Sequence, residues 1–217
     1  MTAMNGYMRT MVVILALGLS YPAFGKHVWK APAVDVSTPN RVSDLEVDDV
    51  CGIDFRNAHI SGENADWTAD LKGGKYERRH DFGYESAEIE QVFCFGRKDG
   101  PGPYALVVTN WMGCGGSCMR LGVVQLFVVR GSHPVITQQF VFDSHAVGTG
   151  VSFDAKGPTL TITGRSDDGS PNCCAMTFDV VTYQWQEDKF VQQSYRRVRA
   201  PRKAQRPMAD PEVPSAR

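Results

Sequence analysis

From Glu88 onward the hydrophobic positions of the chain follow strand spacing and not helix spacing. The segment "TLTITGR" sets Leu160 and Ile162 against Thr159, Thr161 and Thr163, the two-residue period of a half-buried strand. "EIEQVFCF" and "YALVVTNW" are two further candidate strands, separated by the turn-rich "RKDGPGP". "LGVVQLFVVR" is almost continuously apolar, which predicts a central strand covered on both faces. "VITQQFVFD" puts Ile136, Gln138, Phe140 and Phe142 on one face, with one polar interruption, and "HAVGTGVSF" groups Val147, Val151 and Phe153. The final strand, "CCAMTFDVVTYQW", carries Cys174, Met176, Phe178 and Val180 on one face and then shifts to Val181, Tyr183 and Trp185. A change of phase is what one inserted residue produces, so a β-bulge is predicted near Asp179 to Val181.

The N-terminal part is less regular. "DLKGGKYERR" predicts a hairpin around Gly73 and Gly74, and "IDFRNAHI" an extended segment. In "SDLEVDDVCG", Ser43 and Glu46 have capping-box spacing and Gly52 suits a helix end, so a short helix is predicted over 44–50. Short turns between about seven strands, with no strand–helix alternation, predict a mainly β fold (α+β at most). The expected architecture is a single antiparallel sheet of meander type with one short N-terminal helix.

Composition and charge set the compartment. Arg9 is the only charged residue before Lys26 and precedes the apolar run 11–19, and Ala23 and Gly25 are small residues placed for cleavage before Lys26. This is the pattern of a secretory signal peptide, and nine apolar residues are too few to span a bilayer. The expected organisation is a signal peptide over 1–25, a flexible arm over 26–42, a β-rich domain over 43–195 and a disordered basic tail over 196–217. The product is expected to be exported, either periplasmic or secreted, with no membrane span after cleavage. Net charge is −1, but from Arg196 onward seven basic residues meet two acids, so an acidic body ends in a basic tail. The tail has no aromatic residue for stacking on bases, which argues against nucleic acid and leaves weak contact with an anionic surface.

Export changes the reading of the six cysteines, because neighbouring thiols oxidise outside the reducing cytosol. Three bridges among Cys51, Cys94, Cys114, Cys118, Cys173 and Cys174 are expected. Sequence alone does not select among the fifteen possible connectivities. Cys51–Cys94 would tie the N-terminal segment to the sheet, closing a loop of about 44 residues and stabilising by about 3 to 4 kcal/mol. Cys114–Cys118 across a flexible Gly-Gly-Ser linker and Cys173–Cys174 are favoured for the rest, with cross-pairing between the two segments as the alternative. Zinc would require C-x₃-C and adjacent C-C to replace the usual paired C-x₂-C. A redox pair would more usually be C-x-x-C at a helix N-terminus.

Other candidates carry weaker signals. Asp143, Ser144 and His145 are sequence neighbours, whereas triad members meet through the fold. His59, His80 and His133 are scattered without ligand spacing. Asp54 with Glu77 or Glu90 offers a carboxylate pair of the kind any acid-rich chain contains. The loop with Trp111, Gly113, Gly115 and Gly116 is a candidate ligand rim, although Trp111 also suits a core position beside a bridge. No cofactor motif is present.

The stretches "DGPGPYALVVTNWMGCGGSC", "LGVVQLFVVRG" and "DDGSPNCCAMTFDVVTYQWQEDKFV" resemble small exported bacterial proteins of the LppP/LprE-lipoprotein-like group. In that group a Cys-Cys-Pro motif opens a C-terminal strand. This chain has Ala175 in place of the proline, two extra cysteines in the glycine loop and no lipid-bearing cysteine. The resemblance implies export and a β fold, and it carries no activity. Together these readings point to a non-enzymatic binding or structural module of the cell envelope, its partner an envelope protein or a wall component. The alternatives are an envelope hydrolase, or a redox or metal protein using Cys114, Cys118, Cys173 and Cys174.

Overall fold

The computed structural model describes residues 41–61, 67–81, 83–97, 100–115, 118–169 and 175–202. The signal segment, nearly all of the arm, most of the tail, Gly116, Cys173 and Cys174 lie outside the described residues.

Among the described residues, eleven strands form three antiparallel sheets, so the expectation of one sheet is corrected. β1 (His59–Ser61) and β2 (Thr68–Asp70) make a small hairpin. β3 (Lys75–His80), β4 (Gly83–Arg97), β5 (Gly100–Cys114), β6 (Cys118–Arg130) and β7 (His133–Asp143) form a five-stranded meander. β8 (Gly150–Asp154), β9 (Thr159–Arg165), β10 (Thr177–Gln186) and β11 (Lys189–Arg199) form a four-stranded meander. Within each sheet, strands that follow one another in sequence lie side by side, as short turns require.

The five-stranded sheet is the middle layer. On one face Ala105, Val107, Phe127, Ala87 and Ile89 pack against Val50, Ile53, Phe55, Ile60 and Leu71 of the N-terminal segment. On the other face Leu106, Val108, Val124, Leu126 and Phe95 pack against Leu160, Ile162 and Phe190 of the four-stranded sheet. β6 is therefore buried continuously from Gly122 to Phe127, as its apolar run predicts. Aromatic rings interlock in the second core: Phe95 contacts Tyr104, Phe153, Trp185 and Phe190 at centroid distances of 5.0–5.9 Å.

No α-helix forms over 44–50. The chain makes single 3-10 turns at Val42–Asp44 and Val50–Gly52. Between them Leu45 and Val47 are half-buried while Glu46 and Asp48 are exposed, the period of an extended chain laid over a surface. Val47 N–H donates to the Ser132 carbonyl (2.8 Å), and the Leu45 carbonyl meets His133 Nδ1 (3.0 Å). A seven-residue helix does not offset its nucleation cost, and two apolar contacts plus these bonds favour the extended form. Ser43 bonds Asp44 and makes no capping box.

Two strand details also differ. The bulge predicted in β10 lies on its partner: β11 inserts Gln193 where the register shifts between Thr182 and Tyr183, and β10 pairs with β9 without interruption. The apolar phase changes because β10 serves two cores. Phe178 packs with Ala146, Ala175 and Ala200, whereas Tyr183 and Trp185 join the aromatic cluster. In β7 an extra residue, Thr137, separates Ile136, which joins the first core, from Phe140 and Phe142, which join the second. Val147 sits in a turn and is exposed, so it does not join Val151 and Phe153. The polar interruption, Gln138, accepts from Phe190 N–H (2.6 Å) and donates to the Phe190 carbonyl (3.1 Å). Its amide thus stands in for a strand neighbour and fastens the two large sheets together.

Candidate functional site

The four-stranded sheet does not cover the whole face of its neighbour. Beyond its edge, β3, β4, β5 and β6 expose two cross-strand rungs that floor a cleft of about 440 Å³. The first rung runs Lys75, Glu88, Asn110 and Gly122, and the second Glu77, Ser86, Met112 and Arg120. The side-chain period of two puts both rungs on one face.

Phe142, across from Gly122, closes one end. A Cβ added at Gly122 would fall 2.0 Å from the Phe142 ring, so only glycine lets that ring lie flat on the sheet. The facing wall is the loop from Ser144 to Gly150. Two anchors hold it. Ala146 packs with Phe178 and Ala200. At its root, Asp143 bonds the His145 ring (Nδ1, 2.8 Å), the His145 N–H (2.9 Å) and Arg165 (2.9 Å). His145 Nε2 lies 2.8 Å from the Cys118 carbonyl and 3.1 Å from Arg120 N. Asp143 and His145 thus do meet, but the outer nitrogen rests on the backbone of β6 and, among the described residues, faces no hydroxyl. The dyad fixes the loop to the strand that carries Arg120.

Charge on the floor is mixed. Lys75 pairs with Glu88 at 3.1 Å, and Asn110 donates to Glu90. Among the described residues, the side chains of Glu77 and Arg120 have no hydrogen-bond or ion-pair partner.

The cysteines act as staples at two positions. Cys51 bonds Cys94, joining the second 3-10 turn to β4, and Cys114 bonds Cys118 across the turn of the β5–β6 hairpin. These are two of the pairings favoured from sequence. With Cys114 and Cys118 joined, a four-thiolate zinc site cannot assemble from them. No group of three or more His, Cys, Asp or Glu residues is placed to hold a metal ion among the described residues. None of the described helices is long and apolar enough to cross a membrane.

The rim residues separate. Trp111 is half-buried and packs on the first core, its ring so close to Gly113 that a Cβ there would lie 2.3 Å from it. Gly115 is exposed in the turn. Asp54 caps the third 3-10 turn, Phe55–Asn57, by accepting from Arg56 N (3.1 Å) and Asn57 Nδ2 (2.8 Å). It is therefore no partner for Glu77 or Glu90, which line the cleft together. His59 bonds Asp70 (2.6 Å) and His80 lies 3.8 Å from Glu85. The cleft itself was missed from sequence. Its floor residues come from four strands, and the only local signal was the polar character of alternate positions at the strand ends.

Outside the cleft, two networks tune surface acids. Arg197 beside Asp179 holds that carboxyl below its ordinary range, and the Tyr195 and Ser166 hydroxyls help. Burial, then the bond to Asp188, pushes the Tyr104 phenol up to about 12.

None of the protein-family models, curated proteins or solved structures compared with this chain matches it. Fold and site define a β-rich, disulfide-bonded domain with a walled polar cleft.

Proposed function

We propose that this chain is an exported, non-enzymatic binding module of the bacterial cell envelope, of the LppP/LprE-lipoprotein-like kind, and that its cleft holds a partner or wall component. The observation that carries this reading is the cleft itself. It has a sheet floor, an anchored wall and a mixed set of donors and acceptors, with its nearest histidine committed to the backbone. Preorganised walls lower the entropic cost of binding. The two bridges support an oxidising compartment, because cytosolic thiols stay reduced.

Two measurements test it. Intact mass of the protein recovered outside the cytoplasm should correspond to loss of residues 1–25 and to oxidised cysteines. Amide shifts should then be followed on titration with a soluble digest of bacterial cell wall. The expected perturbations fall on Ser86, Glu88, Asn110, Arg120 and the 144–150 loop, with the digest chemically unchanged. Perturbations confined elsewhere, or turnover of the digest, would overturn the reading.

A further inference from the structure

The unpaired charges of the cleft have a definite separation. Glu77, Ser86, Met112 and Arg120 are successive cross-strand partners on β3, β4, β5 and β6. Three inter-strand steps place the backbones of the two charged residues about 14 Å apart. The first rung lacks this polarity because Lys75 satisfies Glu88. Between the charged ends lie a hydroxyl and a thioether, Ser86 and Met112, and the opposite wall adds Ser144 and Thr149. A half-buried guanidinium with no acceptor favours an anion, and a carboxylate forms two parallel bonds with it. An unpaired carboxylate at the far end favours an ammonium.

We infer that the cleft takes a short zwitterionic peptide, its free C-terminal carboxylate on Arg120 and its N-terminal ammonium on Glu77. Extended peptide rises about 3.3 to 3.6 Å per residue, so three or four residues span the gap. The small apolar side chains of such a peptide fit beside Met112 and Phe142. This inference deepens the binding-module reading and rests on it.

Calorimetric titration of the purified protein with tetra-alanine, N-acetyl-tetra-alanine and tetra-alanine amide tests the assignment. Glu77→Gln, Arg120→Met and Arg120→Lys are titrated in parallel, after thermal melting has shown that each is folded. Free tetra-alanine should bind at least about tenfold more tightly than either blocked form, the usual scale of a lost charged bond. Glu77→Gln should abolish the advantage of the free ammonium and keep that of the carboxylate. Arg120→Met should do the reverse, and Arg120→Lys should retain part of the carboxylate preference. Blocked peptides binding as well as the free one would overturn the assignment. If tetra-alanine fails to bind while the wall digest still shifts the cleft amides, the peptide class falls and the binding module stands. If neither shifts them, both fall.

Discussion

The two faces of the central sheet are covered in opposite ways. One face carries an irregular segment of 3-10 turns and a three-residue hairpin, which contributes apolar side chains and few backbone pairings to the sheet. The other carries a four-stranded meander that satisfies its own backbone and locks on through rings. A cover with little regular hydrogen bonding depends on a covalent tie, and the Cys51–Cys94 bridge is placed there. A cover that is already a sheet needs only packing and side-chain clasps: Gln138 on Phe190, Asp143 on Arg165 and Tyr104 on Asp188.

Breaking each cover separately sharpens the contrast. Phe95→Ala empties the centre of the ring cluster and should cost about 3–5 kcal/mol, read from denaturant unfolding. A cost below about 1 kcal/mol would mean the second core does not hold the sheets. Replacing Cys51 and Cys94 together by Ala should cost about 3–4 kcal/mol. Hydrogen exchange should then rise over 42–71 before it rises in β8–β11. Uniform acceleration in all layers would contradict a local tie. Gln138→Ala leaves the buried Phe190 amide unpaired and should cost about 1–3 kcal/mol, with the extra exchange confined to β7 and β11.

The smallest effect is electrostatic. Asp179 has a depressed folded pKa, so its contribution is fully present above the ordinary carboxylate value of about 4 and is lost as pH falls through the folded value. Asp179→Asn should therefore be slightly less stable than the parent at pH 7, and the two should converge in acid. Parallel stability curves down to pH 2 would contradict this. Tyr104 gives the mirror case: its phenol is raised, so its contribution holds below about pH 10 and fades toward about pH 12. Tyr104→Phe should lack that alkaline loss.

Legibility from sequence followed the range of the interactions. β6 was readable because a double-covered strand shows an unbroken apolar run, and β9 because a half-buried strand alternates. The 44–50 segment was misread because capping spacing is local, whereas the bonds from Val47 to Ser132 and from Leu45 to His133 are made across the fold. The phase change in β10 was visible but its cause was not, since a bulge and a switch between two cores leave the same mark. The cleft left least trace: Glu77, Ser86, Met112 and Arg120 become neighbours only through strand register.

The β character, the main turns and a preference for two of the cysteine pairings were legible in the chain alone, because they arise from backbone period, turn chemistry and short or loop-closing links. The division into three sheets, the face each residue buries and the placing of two unpaired charged residues at the ends of one rung were decided only in the folded molecule. Register and layer packing join positions tens of residues apart, and no local pattern encodes which apolar surface a given face will meet.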